Sequence, residues 1–323
     1  MLVWSSLTDS PMQTVLYQLS DLGHRLWIYQ AERFPVVLHG ILILAFSCSG
    51  VSLSAVLRGA EHLPSLASYL VAFISAFCFF LQLRITDEYK DNEEDCRFRP
   101  YRPVPRGLVS LDELRMVGYV SAGLQLVLSI ALAPALLWLL FGTWLYLALM
   151  TKEFFVGKWL RRHPIIYMSS HMLIMPLIDA YVTACDWLPS AKYPPSGLMA
   201  FLLVSFFNGI AIEIGRKMRK PSEELIGVET YSALWGLPRA SLVWLAALLT
   251  TAALALWTAS VSQTALIVLI LMTALFATAY VIRLKVLSSN TSSGKLEAFT
   301  GLWTVALYLV LGPAPLLLSF WRG

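Results

Sequence analysis

Charge is scarce in this chain. Asp, Glu, Lys and Arg make up 14% of its 323 residues, against about 25% in a soluble globular domain. With 58% of residues hydrophobic and a mean hydropathy of +0.67, that deficit excludes an ordinary soluble fold. It points to a polytopic membrane protein. Cysteine is also rare. Cys48, Cys78, Cys96 and Cys185 are scattered and lack metal-ligand spacing. Most lie in or beside apolar segments, where Cys is a small buried hydrophobe. No disulfide framework is expected. The first thirty residues have neither a basic start nor a clean apolar core, so no cleavable signal peptide is expected. No short repeat and no low-complexity tract is present. The net charge of +4 is modest and does not suggest a nucleic-acid partner.

What the chain does have is length of apolar sequence. Nine segments lie near 36–57, 66–84, 114–132, 134–150, 165–184, 197–214, 239–258, 263–284 and 298–319. Each is close to the ~20 residues needed to cross a bilayer. The expected fold is therefore all-α: a bundle of nine transmembrane helices. Residues 1–35 read as a separate N-terminal segment. Leu16, Leu19, Leu22, Leu26 and Trp27 recur at helical spacing between Asp21, His24 and Arg25, as in an amphipathic helix lying on the membrane surface.

The basic residues test this count. With the N-terminus on one side, that side's loops hold 21 of the 24 Lys and Arg residues. Only Arg58, Lys192 and Arg322 fall on the other. Such asymmetry marks the basic side as cytoplasmic. An integral, multi-pass protein with a cytoplasmic N-terminus is expected, in the plasma membrane if the host is bacterial. Two charged loops, 85–113 and 215–238, then form a cytoplasmic cap over one end of the bundle.

The first of these loops carries the strongest chemical signal. Asp87, Glu88, Asp91, Glu93, Glu94 and Asp95 follow the second apolar segment directly. Acid crowded at the end of a membrane helix is expensive and usually functional. On one continuous helix, Glu88, Asp91 and Asp95 fall within about 60° of arc. Asp87 and Glu94 widen the stripe to about 120°, and Glu93 points away. Stacked carboxylates suit Mg²⁺, which prefers a few hard oxygens plus substrate phosphates. Arg84, one turn before Glu88, and Arg102 and Arg106 beyond could neutralise phosphate oxygens. The plainer alternative is a solvated charged loop.

A second constellation closes the sixth segment. Glu213, Arg216, Lys217 and Lys220 share a helical face, and Glu223 and Glu224 follow. An acid with bases one turn on can clamp a metal diphosphate; ordinary anchoring of a helix end is the other reading. A third stretch, Lys152 to Pro164, reads first as an interface anchor through Trp159 and its bases. A phosphate contact from Lys152 or Arg161 is the alternative. Among the few polar residues within the segments, His171 and Asn208 could line a pocket; each could also simply bond a neighbouring helix.

Taken together, these features resemble the UbiA family of intramembrane prenyltransferases. The family's first motif reads N-D-x-x-D-x-x-x-D. Here Asp87-Glu88-Tyr89-Lys90-Asp91-Asn92-Glu93-Glu94-Asp95 matches its spacing, and Arg102-Pro103-Val104-Pro105-Arg106-Gly107 matches the turn that follows. Gly227-Val228-Glu229-Thr230 fits the G-[IV]-x-T run of the second motif, but ten residues separate Glu213 from Glu223, and bases fill the gap. The resemblance implies a nine-helix prenyltransferase domain over 36–323 that moves an isoprenyl group from a polyprenyl diphosphate to an aromatic or other small acceptor. It implies two Mg²⁺ ions. Asp87, Glu88, Asp91 and Asp95 are expected on one, and Glu213 with Glu223 or Glu224 on the other. Arg84, Arg102, Arg106, Lys152, Arg216, Lys217 and Lys220 are expected on diphosphate. Asp91 and Lys217 are expected to carry catalysis, and His171 and Asn208 to line the acceptor or prenyl pocket. Two other classes compete. A membrane alcohol phosphotransferase would show a D-G pair with a D-x-x-x-D run downstream of it, and that combined pattern is missing here. A lipid-binding scaffold or transporter would want its acids near the bilayer midplane.

Overall fold

Caps and prolines set where the helices start and stop. The computed structural model describes residues 11–261, 264–288 and 291–322, and among these every regular element is helical. Helix α1 (Pro11–Arg33) ends just before Pro35, which turns the chain into α2 (Val36–Leu57). Residues 1–10 of the expected surface segment lie outside the described residues. Ser65 caps α3 (Leu66–Lys90) by accepting from the Ser68 backbone N–H at 3.0 Å. The short α4 (Asn92–Phe98) follows. Ser110 and Glu113 form a capping box at the start of α5 (Leu111–Leu132). Ala133 and Pro134 turn it into α6 (Leu136–Thr151).

A 3₁₀ turn (Glu153–Phe155) and α7 (Gly157–Arg161) then lead to a fifth span broken at Leu173 into α8 (Pro164–Met172) and α9 (Ile174–Ser190). Next come α10 (Leu198–Arg216), a 3₁₀ turn (Pro221–Glu223), α11 (Tyr231–Trp235), α12 (Leu237–Val261) and α13 (Ala265–Ser288). The last span is α14 (Gly294–Leu311) with α15 (Pro313–Arg322), jointed at Gly312. Eight of these spans are long and apolar enough to cross a membrane, and Leu136–Thr151 is a shorter apolar helix among them. The nine expected segments are thus all helical.

Lipid cannot hydrogen-bond, so polar side chains inside the bundle bond one another. Gln82 on α3 donates to Ser121 (3.0 Å) and to Gln125 (2.8 Å) on α5, and Gln125 donates to the Ser75 carbonyl at 2.9 Å. Tyr181 on α9 joins this set through Ser75 and Ser129. At the end away from the charged loops, Arg58 and Asp186 pair through two bonds of 2.9 and 3.0 Å. Asp179 is fully buried beside Ser205 and Tyr308. The core runs between these ties, with Trp244, Trp303, Tyr181 and Phe201 among its largest buried side chains.

Candidate active site at the charged end of the bundle

The expected single acidic stripe is cut in two. Helix α3 stops at Lys90, and Asp91 sits at the joint with φ −92° and ψ 0° before α4 begins. The acids consequently diverge. Asp87 pairs with Arg84 at 2.5 Å. Glu88 turns to α1: its side chain is 1% exposed and its carboxylate meets Arg33 Nε at 2.6 Å, with the Tyr29 hydroxyl at 3.5 Å. Asp95, also buried, meets Arg102 at 2.6 Å and Arg99 at 3.0 Å. Arg106 turns away to Glu32 of α1 through two bonds of 2.8 and 2.7 Å.

Asp91 differs from its neighbours. No ion pair to it is seen among the described residues. Burial pushes its carboxyl above the usual range, and the charges of Asp87, Asp95 and Glu94 push it further; Lys90 opposes them. A carboxylate held among carboxylates is a place that favours a cation.

Lys90, a base inside the acidic run, reaches into the site. Its ammonium donates to the Tyr167 hydroxyl at 3.0 Å and stands 3.2 Å from His171 Nε2. His171 Nδ1 lies 2.8 Å from the Tyr167 carbonyl, which can only accept. Nδ1 therefore carries the proton and Nε2 accepts from Lys90. Tyr167 and His171 stack with centroids 4.0 Å apart. Beside them lies a cavity of about 230 Å³ lined by Lys90, Thr151, Lys152, Glu153 and Arg161. Its wall is a strained turn: Glu153, Phe154 and Phe155 have φ of 48°, 52° and 60°. Residues other than Gly adopt that region at a cost of order 1–3 kcal/mol each, and such strain clusters at functional sites. An ion pair from Arg161 to Glu153 (3.3 Å) and packing of Phe154 on Tyr146 and His171 hold it.

The second charged loop meets the first. Glu213, its side chain 9% exposed, is clamped by Arg216 (2.6 Å) and Lys217 (3.0 Å). Arg216 lies in the field of Asp87 across the gap, and Tyr167 in the fields of Asp87, Asp91 and Lys217 together. Tyr231, whose phenol burial pushes up, faces Glu213 and Arg216. Farther out, Gly227 at φ +76° leaves room for the Phe98 ring at the end of α4; a Cβ there would run into it.

Glu223 and Glu224, expected on a metal, face protein donors instead. Glu223 accepts from the Ser293 hydroxyl and from its backbone N–H, and the Lys220 N–H adds a bond of 3.3 Å. The Ser293 hydroxyl is the main reason its carboxyl is held down to about 2. Glu224 accepts from Thr230 and Ser232 at 2.7 and 2.8 Å. Asn208 pairs with Thr304 at 3.3 Å in the interior rather than at the charged end. Arg33, Lys90, Arg99, Glu153, Tyr167 and Tyr231 were missed as site neighbours. Only Tyr167 carried a sequence signal, standing one helical turn before His171.

Among the described residues, no three of His, Cys, Asp and Glu already converge as metal ligands. The donor set still fits a hard cation. Among the described residues Asp91 has no ion pair, and Asp87, Asp95 and Glu213 are each held by bases that a diphosphate could take over.

The UbiA prenyltransferase family profile matches residues 44–306. This chain belongs to that family. No curated protein sequence matches it. Among solved structures, it is similar to an apo UbiA homolog from Aeropyrum pernix K1, with a TM-score of 0.65 at 13% identity over 87% of this chain and 98% of that one. A structure titled digeranylgeranylglyceryl phosphate synthase gives a TM-score of 0.54 at 16% identity, covering 85% of this chain and 98% of that one. A UbiA homolog from Archaeoglobus fulgidus bound to GPP and Mg²⁺ gives 0.54 at 13% identity, covering 88% and 99%. These likenesses are of fold. They agree with the helical, polytopic bundle of this member.

Proposed function

We propose that this UbiA-family member is a Mg²⁺-dependent prenyltransferase whose site lies between its two charged loops. The observation that carries the reading is Asp91, a half-buried carboxylate in the fields of Asp87 and Asp95, with Tyr167 in the fields of both Asp91 and Lys217 of the second charged loop. The A. fulgidus homolog's GPP and Mg²⁺ supply the substrate class by analogy. Asp87, Asp91 and Asp95 would hold metal on the first loop and Glu213 on the second, with two ions expected. Bound Mg²⁺ would supply Lewis acidity and charge neutralisation at the leaving diphosphate.

The remaining work falls to the protein. Arg84, Arg216 and Lys217 now spend their charge on Asp87 and Glu213. A metal diphosphate would give each carboxylate a metal and each base a phosphate, so no charge loses a partner. Lys90 and Lys152, which line the adjoining cavity, and Lys220 of the second loop would be the other bases to meet phosphate oxygens. Donors aimed where charge develops stabilise the transition state. The allylic C–O bond of the donor breaks, a bond forms from that carbon to the acceptor, and the acceptor loses a proton. The bundle keeps water from the allylic cation and takes up the prenyl tail, worth about 0.8 kcal/mol per buried CH₂. The N-terminus and both charged loops are read as cytoplasmic, from the basic asymmetry.

The test is mass spectrometry of lipid extracts from cells lacking the gene. Loss of one prenylated lipid, restored by the wild-type gene but not by Asp91→Asn, is expected. An unchanged lipid profile with the prenyl diphosphate pool intact would refute the assignment.

A further inference from the structure

We infer that Arg33 is a positioning residue for the metal site, and that Glu88 anchors it rather than binding metal. The inference rests on the prenyltransferase reading above and deepens it. Four of the acids in the first charged loop share a motif spacing, but Glu88 alone faces α1. Its carboxylate is buried against Arg33 at 2.6 Å, and the same oxygen has the Tyr29 hydroxyl at 3.5 Å. Tyr29 in turn packs with Ile85, Val109 and Leu114 in a small apolar cluster of its own.

Two further ties bind α1 to the same loop. Glu32 holds Arg106 through two bonds of 2.8 and 2.7 Å. Arg25 holds Glu113 at 2.7 and 3.1 Å, and the Leu108 carbonyl at 3.0 Å. Helix α1 is therefore fastened to the last turn of α3 through Glu88, and to the far end of the loop through Arg106, Leu108 and Glu113. Asp87 and Asp91 stand on either side of the fastened Glu88, with Asp91 inside the fastened stretch. The family profile begins at residue 44, so the clamp comes from a segment outside it.

The physical consequence follows from burial. A buried carboxylate with a close guanidinium is stable only while the pair is intact, and removing one partner leaves an unpaired buried charge. Glu88 cannot leave Arg33 for a metal without that penalty. By staying, it fixes the rotation of the last turn of α3, and with it the direction of Asp87 and Asp91.

Mn²⁺ titration of the full-length protein in nanodiscs, read by the electron paramagnetic resonance of free Mn²⁺, tests this without reference to turnover. Glu88→Gln is expected to bind Mn²⁺ within about twofold of the parent, because Gln can still accept from Arg33. Asp91→Asn is expected to bind at least tenfold more weakly. Arg33→Met is expected to weaken binding about tenfold, and Arg33→Lys to restore most of it. The double variant Arg33→Met/Glu88→Gln should bind better than Arg33→Met, since no buried charge is left unpaired. If Glu88→Gln loses Mn²⁺ as severely as Asp91→Asn, Glu88 is a ligand and the inference is overturned. Unchanged binding in a well-folded Arg33→Met overturns it too. Should Arg33→Met fail to fold, Glu88→Gln and Arg33→Lys still decide. A parent protein that binds no Mn²⁺ at all would instead strike the metal-dependent reading itself.

Discussion

The ring of Phe98, at the end of the first acidic segment, fills the space over Gly227 in the second charged loop. One glycine thus lets two loops from distant parts of the chain close over the same end of the bundle. Gly227→Ala adds a Cβ where the ring lies, at a φ of +76° that L residues rarely adopt. The backbone term alone is about 1–2 kcal/mol. The expected outcome is a lower thermal midpoint and a raised Mg²⁺ requirement, because Phe98 must move and carry α4 with it. Gly227→Ala that matched wild type in both measurements would break the link between loop closure and the site.

Asp91 makes opposite predictions for stability and activity. Its folded pKa is raised above the ordinary carboxylate value by burial and by its acidic neighbours. A raised carboxyl adds stability below the unfolded pKa, and that contribution is lost as pH rises through the folded pKa. At neutral pH the charged form therefore works against the metal-free fold. Asp91→Asn should raise the midpoint of the metal-free protein at pH 7, and the advantage should vanish on acidification to the ordinary carboxylate range. The same variant should lose prenyl transfer by ~10²–10³-fold, for about 3–4 kcal/mol of transition-state stabilisation. Near wild-type transfer at saturating Mg²⁺ would remove Asp91 from the metal site.

Much of this was legible in the sequence, for local reasons. Long apolar runs give the spans directly, because the ~20 residues needed to cross a bilayer are a local property of the sequence. The acid spacing from Asp87 to Asp95 pointed to the first charged loop as one half of the candidate site. The break at Asp91 was not legible, since the spacing of these acids suits an unbroken helix equally well. Nor was the fate of Glu88, whose partner Arg33 is 55 residues away. Glu223 and Glu224 read as metal acids because nothing in their own loop shows that Ser293 would be brought to Glu223 from the start of α14. Partners distant in sequence decide what a carboxylate does, and a single sequence does not pair them.

Lys90 is the base that sequence reading passed over, hidden in an acidic run. Its ammonium stands between Tyr167 and His171 with no carboxylate paired to it among the described residues. It is thus available to a diphosphate at no cost in broken ion pairs. Lys90→Met keeps the apolar stem and removes the charge. The expected result is a rise of about tenfold in KM for the prenyl diphosphate, or about 1.4 kcal/mol, with little change in KM for the acceptor. A selective rise in acceptor KM would instead assign Lys90 and the adjoining cavity to the acceptor.

Topology gives the last prediction. If all nine apolar segments cross, an odd number, the two ends of the membrane domain face opposite sides. On that count, the loops bearing 21 of the 24 basic residues would all fall on the N-terminal side, which the positive-inside rule makes the cytoplasmic one. The side assignment depends on the short helix Leu136–Thr151 crossing in full. Its 16 residues span about 24 Å at 1.5 Å per residue, short of a hydrocarbon core of about 30 Å. Local thinning or the flanking residues must make up the difference. Were it to turn back, every later loop would change sides, and the bases from Arg216 to Lys220 would face outward, opposite the acids they adjoin. A periplasm- or exterior-active reporter fused after Gly323 should therefore be active, and a cytoplasm-active one silent. The reverse result would mean an even number of crossings and would move the C-terminal end to the side of the charged loops.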